Sequence, residues 1–182
     1  MFAGQTAKAY QRIGRTVREL IMFTIRPYQA SDLDAIKEIT IICFEGVSMD
    51  QNIEKRFGPI GGQDWRFRKA RHVDADVAAN APGIFVAEVD RVVAGYVSTR
   101  LDRATQIGGI PNLGVLPAYR KQGIGRTLLE TAITYLREQG MAYARIETLE
   151  QNAVGQKLYP SLGFQEFARQ IHFIRPLEKQ DK

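Results

Sequence analysis

The chain has 182 residues, 45% of them hydrophobic and 25% charged, a balance that suits one domain with a full core. No apolar run approaches the roughly 18 residues that a membrane span requires, and a single cysteine, Cys43, excludes an internal disulfide. The formal net charge is +5, but +3 of it falls in residues 1–21, where Lys8, Arg12, Arg15 and Arg18 face only Glu19; the body therefore lacks the basic stripe of a dedicated nucleic-acid binder.

Residues 1–21 read as a basic N-terminal extension. Ile13, Val17, Leu20 and Ile21 recur at helical spacing opposite the arginines. The stretch lacks both the apolar core of a secretory signal and the serines of an organelle transit peptide. It is expected to be dispensable to a domain that opens at Met22 and runs to residue 178, before a polar tail, 179–182. The alternatives are a helix packed on the domain or on a partner, and targeting.

From Phe23 to Pro27 the sequence alternates and stops at proline, which predicts a first strand. Ser31, ahead of Asp32 and Asp34, is placed as the N-cap of a helix whose packed face is Leu33, Ile36, the Lys37 stem, Thr40 and Phe44. Cys43, among Ile41, Ile42 and Phe44, reads as a small buried residue in preference to a nucleophile. Two helices, Ile53–Phe57 and Arg66–Ala79, flank a Gly58–Gly62 segment that reads as a mobile loop. Gly83–Asp90 and Arg91–Leu101 form a hairpin about Asp90-Arg91. A third strand covers Gln106–Leu116, and Gly108, Gly109 and Gly114 predict a bulge or splay in it.

The helix Ile124–Gln139 buries Ile124, Leu128, Leu129, Ala132, Ile133 and Leu136, spaced by threes and fours, and Gly140 ends it. A strand over Tyr143–Glu150 follows. A short helix, Asn152–Leu158, is stopped by Pro160, and a last extended stretch runs from Gly163 to Pro176. The order βα(α)βββαβαβ is that of an α/β domain with a mixed sheet and helices on its faces.

Between the third strand and the long helix lies Arg120-Lys121-Gln122-Gly123-Ile124-Gly125-Arg126. Two glycines one residue apart allow a tight turn and close backbone approach. The helix that follows aims its free N–H groups and positive dipole end into that turn, which makes an anion site. Arg120, Lys121 and Arg126 are expected to add cationic side chains around it. The P-loop pattern is absent, and Leu128 stands where a dinucleotide fingerprint needs its third glycine.

A second constellation follows. Glu147 falls inside the predicted strand, where it reads either as a carboxylate paired with Arg145 or facing solvent, or as a partly desolvated base. Asn152 reads equally as a plain N-cap, and Tyr159, beside Leu158 and Phe164, as core.

Taken together, Val115-Leu116-Pro117 with Arg120-x-x-Gly123-x-Gly125, then Ile146-Glu147-(four residues)-Asn152-x-x-Gly155-x-x-Leu158-Tyr159-x-x-Leu162-Gly163-Phe164, resemble the two signature blocks of the GNAT superfamily of N-acetyltransferases. The resemblance covers roughly residues 22–176, and the last block is similar to that of the ribosomal-protein alanine N-acetyltransferase branch. It implies the GNAT fold, a mixed and mostly antiparallel sheet with a splayed central strand. It also implies acetyl-CoA as co-substrate, no metal, and direct transfer to a primary amine of a small molecule or a protein N-terminus.

Residue by residue, the resemblance gives the backbone of Leu113, Gly114 and Val115 to the pantetheine arm and the thioester. The loop of Arg120, Lys121, Gln122, Gly123, Ile124, Gly125 and Arg126 goes to the pyrophosphate, and Asn152 to the pantetheine side. Glu147 becomes the base that takes the proton of the amine, and Tyr159 the acid that protonates the departing thiolate. Two departures stand out. Ile110-Pro111-Asn112 lacks the acidic residue that many members carry there, and Pro160 directly follows Tyr159.

The acceptor pocket is expected between Phe44 and Arg71 and along Arg100–Gln106, with Glu45, Asp64, Trp65, Phe67 and Asp102 as candidates that read equally well as core and solvated surface. His72 and His172 read as ordinary surface or cleft histidines. The expected setting is cytoplasmic, without membrane or nucleic-acid partners, and a homodimer is compatible. A non-catalytic acyl-CoA-binding regulatory domain is the alternative function. An interaction role for the basic extension is a third.

Overall fold

The structure is a computed structural model that describes residues 22–177; the expectations for the N-terminal extension and the polar tail lie outside the described residues. The chain runs β1 (Thr24–Pro27), α1 (Leu33–Phe44), α2 (Met49–Phe57), α3 (Trp65–Asn80), β2 (Phe85–Val89), β3 (Val92–Val97), β4 (Arg100–Asp102), β5 (Ile107–Ile110), β6 (Leu113–Val115), α4 (Ile124–Glu138), β7 (Tyr143–Ile146) and α5 (Ala153–Leu158). One sheet has the order β1-β2-β3-β6 and the other β4-β5-β7. All pairs are antiparallel except β5 with β7. Among the described residues no helix is long and apolar enough to cross a membrane.

The hairpin forms where predicted. Asp90 and Arg91 both take positive φ, 48° and 67°, the turn whose twist matches that of the flanking strands. Helices pack on both faces. On one, α4 buries Ile124, Leu128, Leu129, Ala132 and Leu136 against Ala87, Val89, Ala94 and Val97. On the other, Ile36 and Ile39 of α1 and Val73 of α3 meet Ile84, Val86 and Tyr96. Each fully buried aliphatic side chain of the α4 stripe contributes about 1.5–3 kcal/mol, and Leu129→Ala removes about 2–5 kcal/mol, cavity included.

Several expectations are corrected. Ser31 is not a cap: a short 3-10 turn, Ala30–Asp32, precedes α1 and starts from Gln29, whose N–H donates to Asp32 Oδ2 at 2.8 Å. Asp32 is held there by Arg26, which spans Asp32 (2.7 Å) and Glu88 (2.8 Å) and keeps the Asp32 carboxyl below its usual range. In α1, Ile39 is buried, whereas Lys37 reaches out to Asp74 at 2.6 Å. β7 ends at Ile146, four residues early, so Glu147 lies beyond the strand. The stretch after Gly163 forms no strand.

The predicted single strand over Gln106–Leu116 is two strands in two sheets. Ile107–Ile110 pairs with β7, and after Pro111-Asn112 the chain crosses to pair Leu113–Val115 with β3. Proline supplies no N–H to a ladder, so the break falls there. This fork is the splay anticipated from the glycines, displaced to the proline.

Candidate active site

The fork leaves one flank of β6 bare. Ser98 N–H donates to the Asn112 carbonyl and Leu116 N–H to the Ala94 carbonyl, both at 2.9 Å. Hydrogen-bonded pairs alternate along an antiparallel ladder, so Gly114 pairs with Tyr96 while Leu113 and Val115 turn their N–H and C=O groups away from β3. The Val115 carbonyl is taken by Arg120 Nε (2.9 Å) and Cys43 Sγ (3.2 Å). The outward N–H groups of Leu113 and Val115 face the gap. Gly114 instead faces the sheet and α1; a Cβ there would stand 3.1 Å from Ile39.

Directly after β6, the loop ends in Gly123, which caps α4 with φ 87°. Only glycine adopts this left-handed turn without cost. Lys121 shares the positive region at φ 62°. These two turns curl the main chain so that the amides of residues 121–126 form an uninterrupted row. Among the described residues none of these amides hydrogen-bonds to protein, and the first internal bond, Thr127 N–H to Gly123 O at 3.0 Å, comes one residue later. The first turn of α4 holds no acidic residue, and Gln122 Oε1 is buried without a partner. A row of free amides at the positive end of a 15-residue helix fits a pyrophosphate.

The side chains differ from expectation. Arg120 folds back on Val115, and Arg126 is occupied by Ser161 Oγ (2.8 Å) and Glu130 (3.4 Å). The donors that converge at this candidate anion site are therefore backbone amides, with Lys121 as an exposed cation beside them.

Gly125 is where the pieces meet. A Cβ there would sit 3.7 Å from Val115 and 3.9 Å from Leu158, so α4, β6 and α5 converge on it. At α5, Asn152 is the N-cap: its Oδ1 accepts from Gly155 N–H at 3.1 Å and its Nδ2 donates to Thr148 Oγ1 at 2.9 Å. A Cβ on Gly155 would come within 2.8 Å of Asn152, 3.0 Å of Thr148 and 3.1 Å of Tyr159. The absence of a side chain at Gly155 thus lets Asn152, Thr148 and Tyr159 close into one cluster. Burial pushes the Tyr159 hydroxyl up, with a partly offsetting hydrogen bond from Thr148. The ring also meets Phe164 edge-on at 6.3 Å. Pro160 opens a new 3-10 turn, and Tyr159 keeps helical angles (φ −64°, ψ −47°) despite preceding a proline.

Glu147 is next to this cluster but differs in setting. Its side chain is 70% exposed and lies 3.3 Å from Arg145, so the desolvated-strand setting is replaced by an exposed one. Cys43 is a thiol raised by burial, consistent with a packing role.

One group of residues escaped the sequence. Buried Asp76 on α3 accepts from Ser98 Oγ (2.6 Å), Asn112 Nδ2 (2.6 Å) and Arg100 Nη2 (2.7 Å). Lys69 donates to Asn112 Oδ1 at 2.8 Å and lies 3.8 Å from the centre of the Phe44 ring. Its pKa is lowered to about 8, chiefly by burial, with Asp50 and Asp76 opposing. This network clamps Asn112, the residue at the fork. The signal available was spacing alone: Trp65, Lys69, Val73 and Asp76 share one helical face, with charges in apolar slots. Of the acceptor-pocket candidates, Trp65 is buried, Asp64 caps α3 through Phe67 N–H (3.0 Å), Glu45 reaches Arg66 at 3.7 Å, and Asp102 caps its own turn. His72 lies 3.6 Å from Asp50, and the described residues hold no cluster of metal-ligating side chains.

The chain is 33% identical over 117 residues to the mycothiol acetyltransferase of Segniliparus rotundus, an alignment covering 61% of this chain and 44% of that one. It is 44% identical over 66 residues to the ribosomal-protein-bS18-alanine N-acetyltransferase of Escherichia coli K12, covering 36% and 42%. The chain thus spans under half the length of these two relatives. In fold it superimposes on the PaiA N-acetyltransferase of Thermoplasma acidophilum, solved with coenzyme A, with a TM-score of 0.64 at 20% identity over 80% of this chain and 91% of that one. The sequence profile of the acetyltransferase (GNAT) family matches residues 36–164, which contain the forked strand, the amide row and the Asn152–Tyr159 cluster, and the chain belongs to that family.

Proposed function

We propose that the protein is an acetyl-CoA-dependent N-acetyltransferase that moves the acetyl group directly to a primary amine, on a small molecule or a protein N-terminus. The single observation that carries this reading is the row of free amides at residues 121–126, which follows the outward N–H groups of Leu113 and Val115 after one short 3-10 turn. One end suits a pyrophosphate. The other suits a thioester carbonyl whose oxygen gains charge when an amine attacks, where preorganised donors stabilise the transition state.

Acetyl-CoA supplies the activated acyl group. An ammonium acceptor must first lose a proton, since free amines have pKa values of about 8 to 10.4. Glu147, exposed at the end of β7, takes that proton through water. As the tetrahedral adduct collapses, the C–S bond breaks and the thiolate takes a proton. Tyr159, kept protonated by burial, is the donor. Asn152, already fixed by Thr148 and Gly155, supports the pantetheine side. We place the enzyme in the cytoplasm, in keeping with its single cysteine.

Thiol release from acetyl-CoA, followed against polyamines, aminoglycosides, amino acids and peptides with free N-termini, tests the reading. Turnover with one class supports it and names the acceptor. Binding of acetyl-CoA with no turnover on any class favours the regulatory alternative.

A further inference from the structure

α4 carries a second stripe besides the one it buries. Thr127, Glu130, Thr131, Thr134, Tyr135 and Glu138 line an open groove of about 320 Å³, with Phe85 of β2 as its floor. These positions step by three, one, three, one and three, the spacing of one helix face, so the groove runs lengthwise beside α4 and suits a second helix laid along it. Phe85 and Tyr135 meet edge-on at 5.5 Å and make its apolar end. Glu130 and Glu138 stand exposed on its rim, Glu130 with Arg126 at 3.4 Å. The sheet beside the groove is also incompletely covered. α4 lies over β2, β3 and β6, and β1 is the edge strand outside them. Phe23 and Ile25 turn to the α4 side of that edge and stay only half-buried.

Residues 1–21 join the described chain beside this groove. Thr24 stands opposite Glu88 and Pro27 opposite Phe85, so Met22 lies toward the β2–β3 hairpin. α4 begins at that same end, after Leu116 has bonded to Ala94, and it finishes where the Tyr135 hydroxyl donates to Asn80 Oδ1 at 3.1 Å, just ahead of β2. A helix that leads into Met22 along the groove therefore runs antiparallel to α4. The apolar stripe Ile13, Val17, Leu20 and Ile21 covers eight helical steps, about 12 Å, against about 16 Å from Thr127 to Glu138. Charge agrees with the fit. In the antiparallel direction Arg12 and Arg15 come to the Glu138 end and Arg18 to the Glu130 end.

We propose that residues 12–21 dock as a helix in this groove of their own chain, antiparallel to α4, with Ile13, Val17 and Leu20 against its floor and the arginines toward Glu130 and Glu138. The extension is then the second helix of the α4 layer and covers the half-buried edge at Phe23 and Ile25, so it is not dispensable. This inference does not depend on the acyl-transfer reading.

Amide hydrogen exchange of the full chain at about 1 and 100 μM tests it. Residues 12–21 are expected to exchange at least about tenfold more slowly than an unstructured peptide, equally at both concentrations because the contact is within one chain. Thr134→Arg sets a bulky cation on the exposed wall of the groove and is expected to remove this protection while the buried stripe of α4 stays protected. Val17→Asp changes no described residue, so it leaves the groove intact, and it is expected to remove the protection as well. Three results overturn the proposal: unprotected exchange of residues 12–21 in the wild type, protection that survives either variant, or protection lost on dilution, which would seat the segment on a second copy.

Discussion

Replacing Gly125 by alanine separates stability from binding. Gly125 sits in the first turn of α4 with no positive φ, so a methyl group is conformationally allowed. Its Cβ meets Val115 at 3.7 Å and Leu158 at 3.9 Å, which is ordinary van der Waals contact. Glycine in a helix is destabilising relative to alanine by roughly 0.5–1 kcal/mol. Gly125→Ala is therefore expected to raise the unfolding midpoint by about 1–4 °C for a chain of this size. The same methyl enters the wedge between β6 and α5, beside the free amides. If acetyl-CoA occupies that wedge, its affinity falls at least tenfold, about 1.4 kcal/mol. Thermal unfolding followed by circular dichroism and calorimetric titration with acetyl-CoA read the two effects separately. A variant that is stabilised and binds as tightly as wild type refutes the placement of the ligand. Gly123→Ala is the contrasting case: its Cβ meets nothing within 4 Å, but φ is 87°, so the variant loses roughly 1–2 kcal/mol of stability to backbone strain.

Further outcomes follow from the same geometry. Glu147→Gln, at an exposed carboxylate, is expected to leave the melting temperature and acetyl-CoA affinity unchanged and to lower kcat/KM about 100-fold at neutral pH; steady-state kinetics with unchanged turnover remove Glu147 from the mechanism. Tyr159→Phe keeps the contact with Phe164 and deletes the hydroxyl, so kcat falls at least tenfold with KM for acetyl-CoA near wild type; a raised KM with unchanged kcat instead assigns the hydroxyl to ground-state binding. Lys69 has a pKa of about 8 in the folded protein against 10.5 when free. Below pH 8 the ammonium is charged in both states and its burial opposes folding. Between 8 and 10.5 the unfolded chain holds the proton that the folded one has released, so this group makes stability rise with pH. Lys69→Met is expected to abolish that rise in urea unfolding series at pH 7, 8 and 9.5, and an unchanged slope contradicts the assignment.

What could be read in the sequence was local. The hairpin turn at Asp90-Arg91 and the α4 stripe are decided by residues a few positions apart, and both form, with Ile133 alone of the expected stripe only half-buried. The loop was recognisable for the same reason: Gly123 and Gly125 sit where a turn and a close approach are required. The misreadings each involve a distant partner. Ser31 lost its cap role because Arg26 and Glu88 fix Asp32. The long strand became β5 and β6 because β7 and β3 lie in different sheets on either side of Pro111. Of the two readings of Glu147, the carboxylate beside Arg145 and facing solvent is the one that forms, because β7 ends one position before it. Lys69 and Asp76 escaped the sequence, since nothing local shows that Asn112, some forty residues on, accepts from one and donates to the other.

Calorimetric titration of the purified chain with acetyl-CoA, in parallel with S-acetylpantetheine, which keeps the thioester arm and lacks the pyrophosphate, tests most directly whether the free amides hold the donor. One acetyl-CoA is expected per protomer, with a large loss of affinity for fragments without the pyrophosphate, because the row of amides at residues 121–126 would then have nothing to hold. No binding up to about 1 mM, or equal binding of fragments with and without the pyrophosphate, contradicts it.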